Sequence, residues 1–138
     1  MKNTKAHIQF IKFQVLESHI VFKEKGDYKV QIGFNPRGEV QKTNNLFYLK
    51  LGIQVKDEDD KFSVELDTLS TFKYSDESSL DEYINGLFVL NAPAIIFPYL
   101  RAFITNITSQ SGMSPLILPT LNLSKLGDDL KENIEIID

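Results

Sequence analysis

The chain has 138 residues, 42% of them hydrophobic and 25% charged, with a net charge of −4 and a pI near 5.2. Ten Phe and five Tyr are foreign to disordered chains, and the length suits one domain over residues 1–138 rather than two cores. The acidic balance argues against a nucleic-acid partner, which calls for Lys and Arg gathered on one face, and the lack of cysteine excludes disulfide and thiolate chemistry.

Met1-Lys-Asn-Thr-Lys5 is followed by alternating polar and apolar residues, not by the unbroken apolar core of a signal peptide. No window approaches the eighteen or so apolar residues of a membrane span, so a cytoplasmic location is expected. Acids cluster at Asp57 to Asp60, at Asp76 to Glu82 and at Asp128 to Asp138. Solvated turns and a soluble tail account for each run.

From His7 to Val15 the apolar positions Ile8, Phe10, Ile11, Phe13 and Val15 keep a period of two around one phase slip, which predicts a strand with a bulge near Phe10. Ile20 and Phe22 continue in extended fashion. After Lys25-Gly26-Asp27 a second strand shows Tyr28, Val30, Ile32 and Phe34, and Asn35-Pro36-Arg37-Gly38 fits a type I turn that closes a hairpin. A third strand sets Phe47, Leu49, Leu51, Ile53 and Val55 against Tyr48, Lys50, Gln54 and Lys56. A fourth carries Phe62, Val64, Leu66, Thr68, Ser70, Phe72 and Tyr74 in phase. Alternation this regular means an antiparallel sheet with one covered face.

After Ser75 to Ser79 the period becomes helical. Leu80, Tyr83, Ile84, Leu87 and Phe88 predict a short helix ending near Gly86 or Asn91. A longer one runs from about Pro93 to Ser111 with Ile96, Tyr99, Leu100, Phe103, Ile104 and Ile107 spaced by three and four. Asn91 is the expected N-cap, Ser111-Gly112 the stop, and Pro98 a kink or a very early helical position. Pro115 and Pro119 exclude regular helix or inner strand over Met113 to Leu121. A last short helix fits Ser124 to Asn133, with a frayed end after it. The fold class is therefore α+β: a four-stranded antiparallel sheet, a long helix, a proline-containing loop and a short C-terminal helix, packed on one face.

Chemistry is sparse. His7 and His19 lie in extended segments without a nucleophile or HExxH motif, Asp57 to Asp60 lack the ligand alternation of a calcium loop, and the seven glycines form no phosphate cradle. Ser109, Ser111 and Ser114 sit in no G-x-S-x-G elbow, and no His follows them. Neither enzyme activity nor a cofactor or metal is expected. The competing class is a small-molecule carrier or enzyme using His7 or His19 in a pocket between sheet and helices. The face of Ile96, Leu100, Phe103 and Ile107 reads as core. The loop differs: Leu116, Ile117 and Leu118 are consecutive and cannot all point inward from an extended segment, so at least one stays exposed or lines a groove.

The string Pro93-x-Ile95-x-Phe97-Pro98-Tyr99-x-Arg101-x-x-Ile104-Thr105, followed by Gly112, Pro115-Leu116 and Pro119 ahead of Asn122, resembles the signature of the SecB-type export chaperones. The signature covers about a quarter of the chain; elsewhere the similarity is one of layout. The resemblance implies a homotetramer, a dimer of dimers, that holds unfolded preproteins in apolar grooves without ATP and passes them to the translocase motor ATPase. The groove residues it implies are Phe97, Leu100, Phe103, Met113, Leu116, Ile117, Leu118 and Leu121. Two features depart from the family pattern: a shorter crossover between the first two strands, about Lys23 to Asp27, and a brief C-terminal tail. Both keep open a SecB-like chaperone dedicated to the antitoxin of a toxin–antitoxin system.

Overall fold

The computed structural model describes residues 6–137, so the basic start of the chain, Met1 to Lys5, and the final Asp138 lie outside the described residues. Strands β1 (Ile8–Phe22), β2 (Val30–Gln41), β3 (Leu46–Asp57) and β4 (Phe62–Tyr74) precede helix α1 (Leu80–Asn85), a π turn (Leu87–Asn91), helix α2 (Ala92–Gln110), helix α3 (Ser124–Lys131) and a short strand β5 (Ile134–Ile137). The sheet order is β1-β4-β3-β2-β5. The first four strands pair antiparallel, as their alternation predicts, and Phe47, Leu49, Leu51, Ile53 and Val55 of β3 are all buried.

Strand β1 carries two bulges against β4, one between Phe10 and Lys12 at the predicted phase slip and a second between Val15 and Glu17. Each bulge turns an extra residue away from the ladder, and those residues, Ile11 and Leu16, are exposed.

Two expectations for the sheet fail. Asn35-Pro36-Arg37-Gly38 is not a turn: β2 runs straight through it, pairing Pro36 with Leu51 and Gly38 with Leu49. The chain reverses at residues 42–45, where Asn45 takes φ 53. Pro36 is tolerated because amides alternate in direction along a strand. Lys29 exchanges its backbone groups with Glu58 and with the Asp57 carboxylate on the β3 side, whereas the amides of Gly38 and Lys42 donate away from β3, to Asn133 and Ile137. Even-numbered residues therefore face outward, and the donor that Pro36 lacks is one β3 never needs. The second failure is the predicted fraying: residues 134–137 form β5, parallel to β2 over Gly38 to Gln41.

The helices cover the apolar face. Phe88, in the π turn, stacks on Phe47 with ring centroids 4.1 Å apart and planes 4° from parallel, and Tyr83 of α1 packs 5.2 Å from both Phe88 and Tyr74. Burial lifts the Tyr74 hydroxyl above the usual phenol range, with the nearby Asp76 charge adding to it. The Tyr83 hydroxyl lies 2.6 Å from Ser75 Oγ and accepts the His7 amide at 3.3 Å, so one buried phenol ties the start of β1 to the end of β4. Helix α3 seats against the π turn through Gly127, where a Cβ would stand 2.6 Å from the Val89 carbonyl oxygen.

Helix α2 keeps Pro93 in its first turn and continues through an exposed Pro98. Asn91 makes no cap: it is already helical and its side chain bonds no backbone amide, because the π turn feeds directly into α2 and leaves no free amide end to cap. The run Leu80–Gln110 is long and apolar enough to cross a membrane by length and composition, more than the sequence reading allowed. Its Ile96, Phe97, Leu100 and Ile104 are buried core residues.

Candidate peptide-binding groove

The loop after α2 is positioned by the way the helix ends. Gly112 takes φ +81, the left-handed conformation that glycine adopts without a Cβ penalty. The Gly112 amide donates to Ser109 O and the Met113 amide to Thr108 O at 3.1 Å, a Schellman ending that turns the chain back along the helix. The returning segment is then stitched to α2. The Leu116 amide donates to Thr108 Oγ1 at 2.9 Å, Thr105 Oγ1 donates to Leu116 O at 2.8 Å, and Arg101 Nη2 reaches Pro119 O at 3.5 Å. Arg101 also lies over the Phe97 ring, 5.2 Å from its centroid.

This fastening sorts the candidate residues. Leu118 is 2% exposed, Leu100 is fully buried, and Phe97 and Met113 are nearly so; Phe103, Leu116 and Leu121 are half-buried; Ile117 is 70% exposed. One of the three consecutive loop residues thus faces solvent, as their order requires. Leu100 and Leu118 present no surface to a guest in this arrangement.

Between the loop and the β1–β2 connection lies a recess of about 660 Å³, lined by Phe22, Tyr28, Val30, Met113 and Leu116, with Lys25, Asp27 and Ser114 also contributing. The loop brings Met113 and Leu116 to it, and the connection brings Phe22, Tyr28 and Val30, which the periodicity had assigned only to strands.

The connection, residues 23–29, is short, and it is laid on the β3–β4 turn instead of hanging free. The amides of Lys23 and Glu24 donate to Lys61 O, Tyr28 Oη donates to Glu24 O at 2.9 Å, and the Tyr28 ring meets Phe62 edge-on at 4.5 Å. Asp57, read from sequence as a solvated turn residue, is buried and accepts the amides of Lys29 and Lys61. Its neighbour Asp60 is exposed, and the hydrogen bond from Lys23 Nζ at 2.6 Å holds its carboxyl below the usual carboxylate range.

A second apolar surface joins the helical stripe to the edge strand, a meeting the sequence did not announce. Tyr99 of α2, 45% exposed, packs on Phe10 and Phe13 at 5.1 and 5.6 Å, above the edge strand β1 with its exposed Ile11 and Leu16. Its sequence signals were the phase slip near Phe10 and the helical spacing of Tyr99, read separately.

The opposite face of the sheet is polar. A cleft of about 350 Å³ there is lined by Glu17, His19, Gln54, Glu65 and Asp67 among others, with His19 Nε2 3.5 Å from Glu17. Both histidines are exposed, and among the described residues no group of three or more His, Asp or Glu side chains could hold a metal ion.

Comparison with known proteins agrees with this architecture. Residues 1–132 match the family described as preprotein translocase subunit SecB. The protein-export protein SecB of Anaplasma phagocytophilum is 30% identical over 105 residues, covering 72% of this chain and 66% of that protein. Its counterpart from Roseobacter denitrificans is 27% identical over 128 residues, covering 86% and 75%. Among solved structures, a Mycobacterium tuberculosis SecB-like chaperone in complex with a ChAD peptide from the HigA1 antitoxin superposes with a TM-score of 0.71 at 15% identity, covering 83% of this chain and 88% of that one.

Proposed function

Because the chain belongs to the SecB family, we propose that it is an ATP-independent holdase that captures non-native polypeptides in the groove between the Met113–Leu121 loop and the β1–β2 connection. The observation that carries this reading is the recess lined by Phe22, Tyr28, Val30, Met113 and Leu116, together with Ile117, which follows Leu116 in the chain and is 70% exposed on a loop otherwise bonded to α2. Apolar client surface removed from water there gains about 25 cal/mol per Å², and the thioether of Met113 adapts to varied side chains. Phe97, Phe103 and Leu121 border the guest, while Leu100 and Leu118 support the groove from beneath.

Such a groove is weak alone. Assembly as a homotetramer, a dimer of dimers, would join several grooves and raise avidity through effective concentration. The fifteen-residue edge strand β1 and the exposed Tyr99 above it are surfaces suited to that assembly. The clients we assign first are unfolded preproteins held for the translocase motor ATPase in the cytoplasm, because the curated relatives are export proteins. A second reading, guarding the antitoxin of a toxin–antitoxin system, is favoured by the antitoxin peptide on the mycobacterial chaperone of the same fold.

Suppression of aggregation of a denatured test protein, together with co-elution of client and chaperone on a sizing column, tests capture. Failure of both removes the proposal. Co-purification with a single small protein, instead of a spread of preproteins, would decide for the antitoxin.

A further inference from the structure

Among the described residues the outer edge of β2 is half occupied. Strand β5 covers Gly38 to Gln41, and Pro36, which has no amide hydrogen, ends the stretch before it. Upstream, alternation along the strand turns the backbone amides of Val30, Ile32 and Phe34 to the same side as those of Gly38 and Lys42, away from β3. This free stretch begins at the recess, since Val30 belongs to both.

We propose that the Val30–Phe34 edge of β2 docks an extended, apolar segment of the client as an added strand, by main-chain hydrogen bonds. This rests on the capture reading above and deepens it. The occupant's chemistry is drawn by β5, which already sits on the same edge as Ile134-Glu-Ile-Ile137, an apolar segment paired in parallel. Main-chain pairing takes any sequence that can extend, while the adjoining recess rewards apolar side chains at alternate positions. The two together give promiscuity with a preference for segments that would be core strands in the folded client. Pro36 and β5 set the limit, so a guest strand cannot run the whole length of β2.

The test uses a fluorescent synthetic peptide repeating the Ile-Glu-Ile-Ile pattern, and the same peptide N-methylated at every internal amide. With the full chain, methylation should weaken binding roughly tenfold or more, the value of one or two lost main-chain bonds. Ile32→Pro should weaken the parent peptide equally and leave the methylated one unchanged, because the amide at residue 32 serves no bond to β3. Circular dichroism checks that this variant folds; if it does not, the comparison of the two peptides on the unaltered chain decides alone. Equal binding of parent and methylated peptides overturns strand docking while leaving capture intact, as does binding of neither peptide by protein that still holds denatured clients. Loss of client capture itself would instead remove the reading on which the docking rests.

Discussion

The hydroxyl of Thr108, fully buried in α2, accepts the Leu116 amide at 2.9 Å while donating to the Ile104 carbonyl at 2.8 Å. A single side chain thus satisfies a half-buried amide in the loop and fixes where the loop crosses the helix. Thr108→Val keeps the shape and removes both bonds, leaving that amide unpaired at a cost of about 1–3 kcal/mol. Urea unfolding should show a lower midpoint with an unchanged slope, and limited proteolysis should cut within residues 113–121 sooner.

Neighbouring loop residues should behave in opposite ways. Ile117→Asp places a carboxylate where the side chain is already 70% exposed, so stability should move by no more than about 0.5 kcal/mol while client capture is lost. Leu118→Asp buries a charge at a 2% exposed position and should cost roughly 3 kcal/mol or more. Melting temperature and aggregation suppression, measured side by side, separate the two. Capture retained in the Ile117 variant would place the groove elsewhere.

Gly127→Ala tests the seat of α3. Its new methyl would stand 2.6 Å from the Val89 carbonyl oxygen, which is backbone and cannot swing aside, so α3 must shift off the π turn. A loss of about 1–3 kcal/mol is expected from such overpacking, against the small gain that Gly→Ala brings in an open helix. Thermal unfolding measures it, and a stabilised variant would show that α3 is loosely held.

The exposed Lys23–Asp60 pair predicts a local pH effect and little else. Asp60 titrates below the usual carboxylate range in the folded chain, so the pair's contribution is present above that ordinary range and is lost as pH falls through the lowered folded value. Lys23→Met should return Asp60 to ordinary titration, seen by NMR of the carboxyl carbon, with no resolvable change in melting temperature at neutral pH.

The alternation of β3 and β4 could be read directly because each strand has one buried face, and even the first bulge of β1 left its trace in the phase slip at Phe10-Ile11. Asn35-Pro36-Arg37-Gly38 misled because turn preference is a local property, whereas what admits Pro36 to β2 is the direction of one amide relative to a partner strand. Strand β5 was hidden for a related reason. Four residues are too few for a periodic signal, and its partner lies almost a hundred positions away, Gly38 against Ile134. For the groove, three consecutive apolar residues require an exposed member, but only the bonds from Thr105 and Thr108 determine that it is Ile117. Phe22, Tyr28 and Val30 join the recess through the β1–β2 connection, a long-range meeting that no periodicity encodes.

Pro36 also acts as a key to alignment. Were β2 to slide by a single position against its inner neighbour, the imino nitrogen would swing into the β3–β2 ladder and leave a carbonyl there unanswered, and every apolar side chain of the strand would change faces. Misthreaded versions of this sheet are therefore penalised twice over by one ring, which locks the strand into a single alignment.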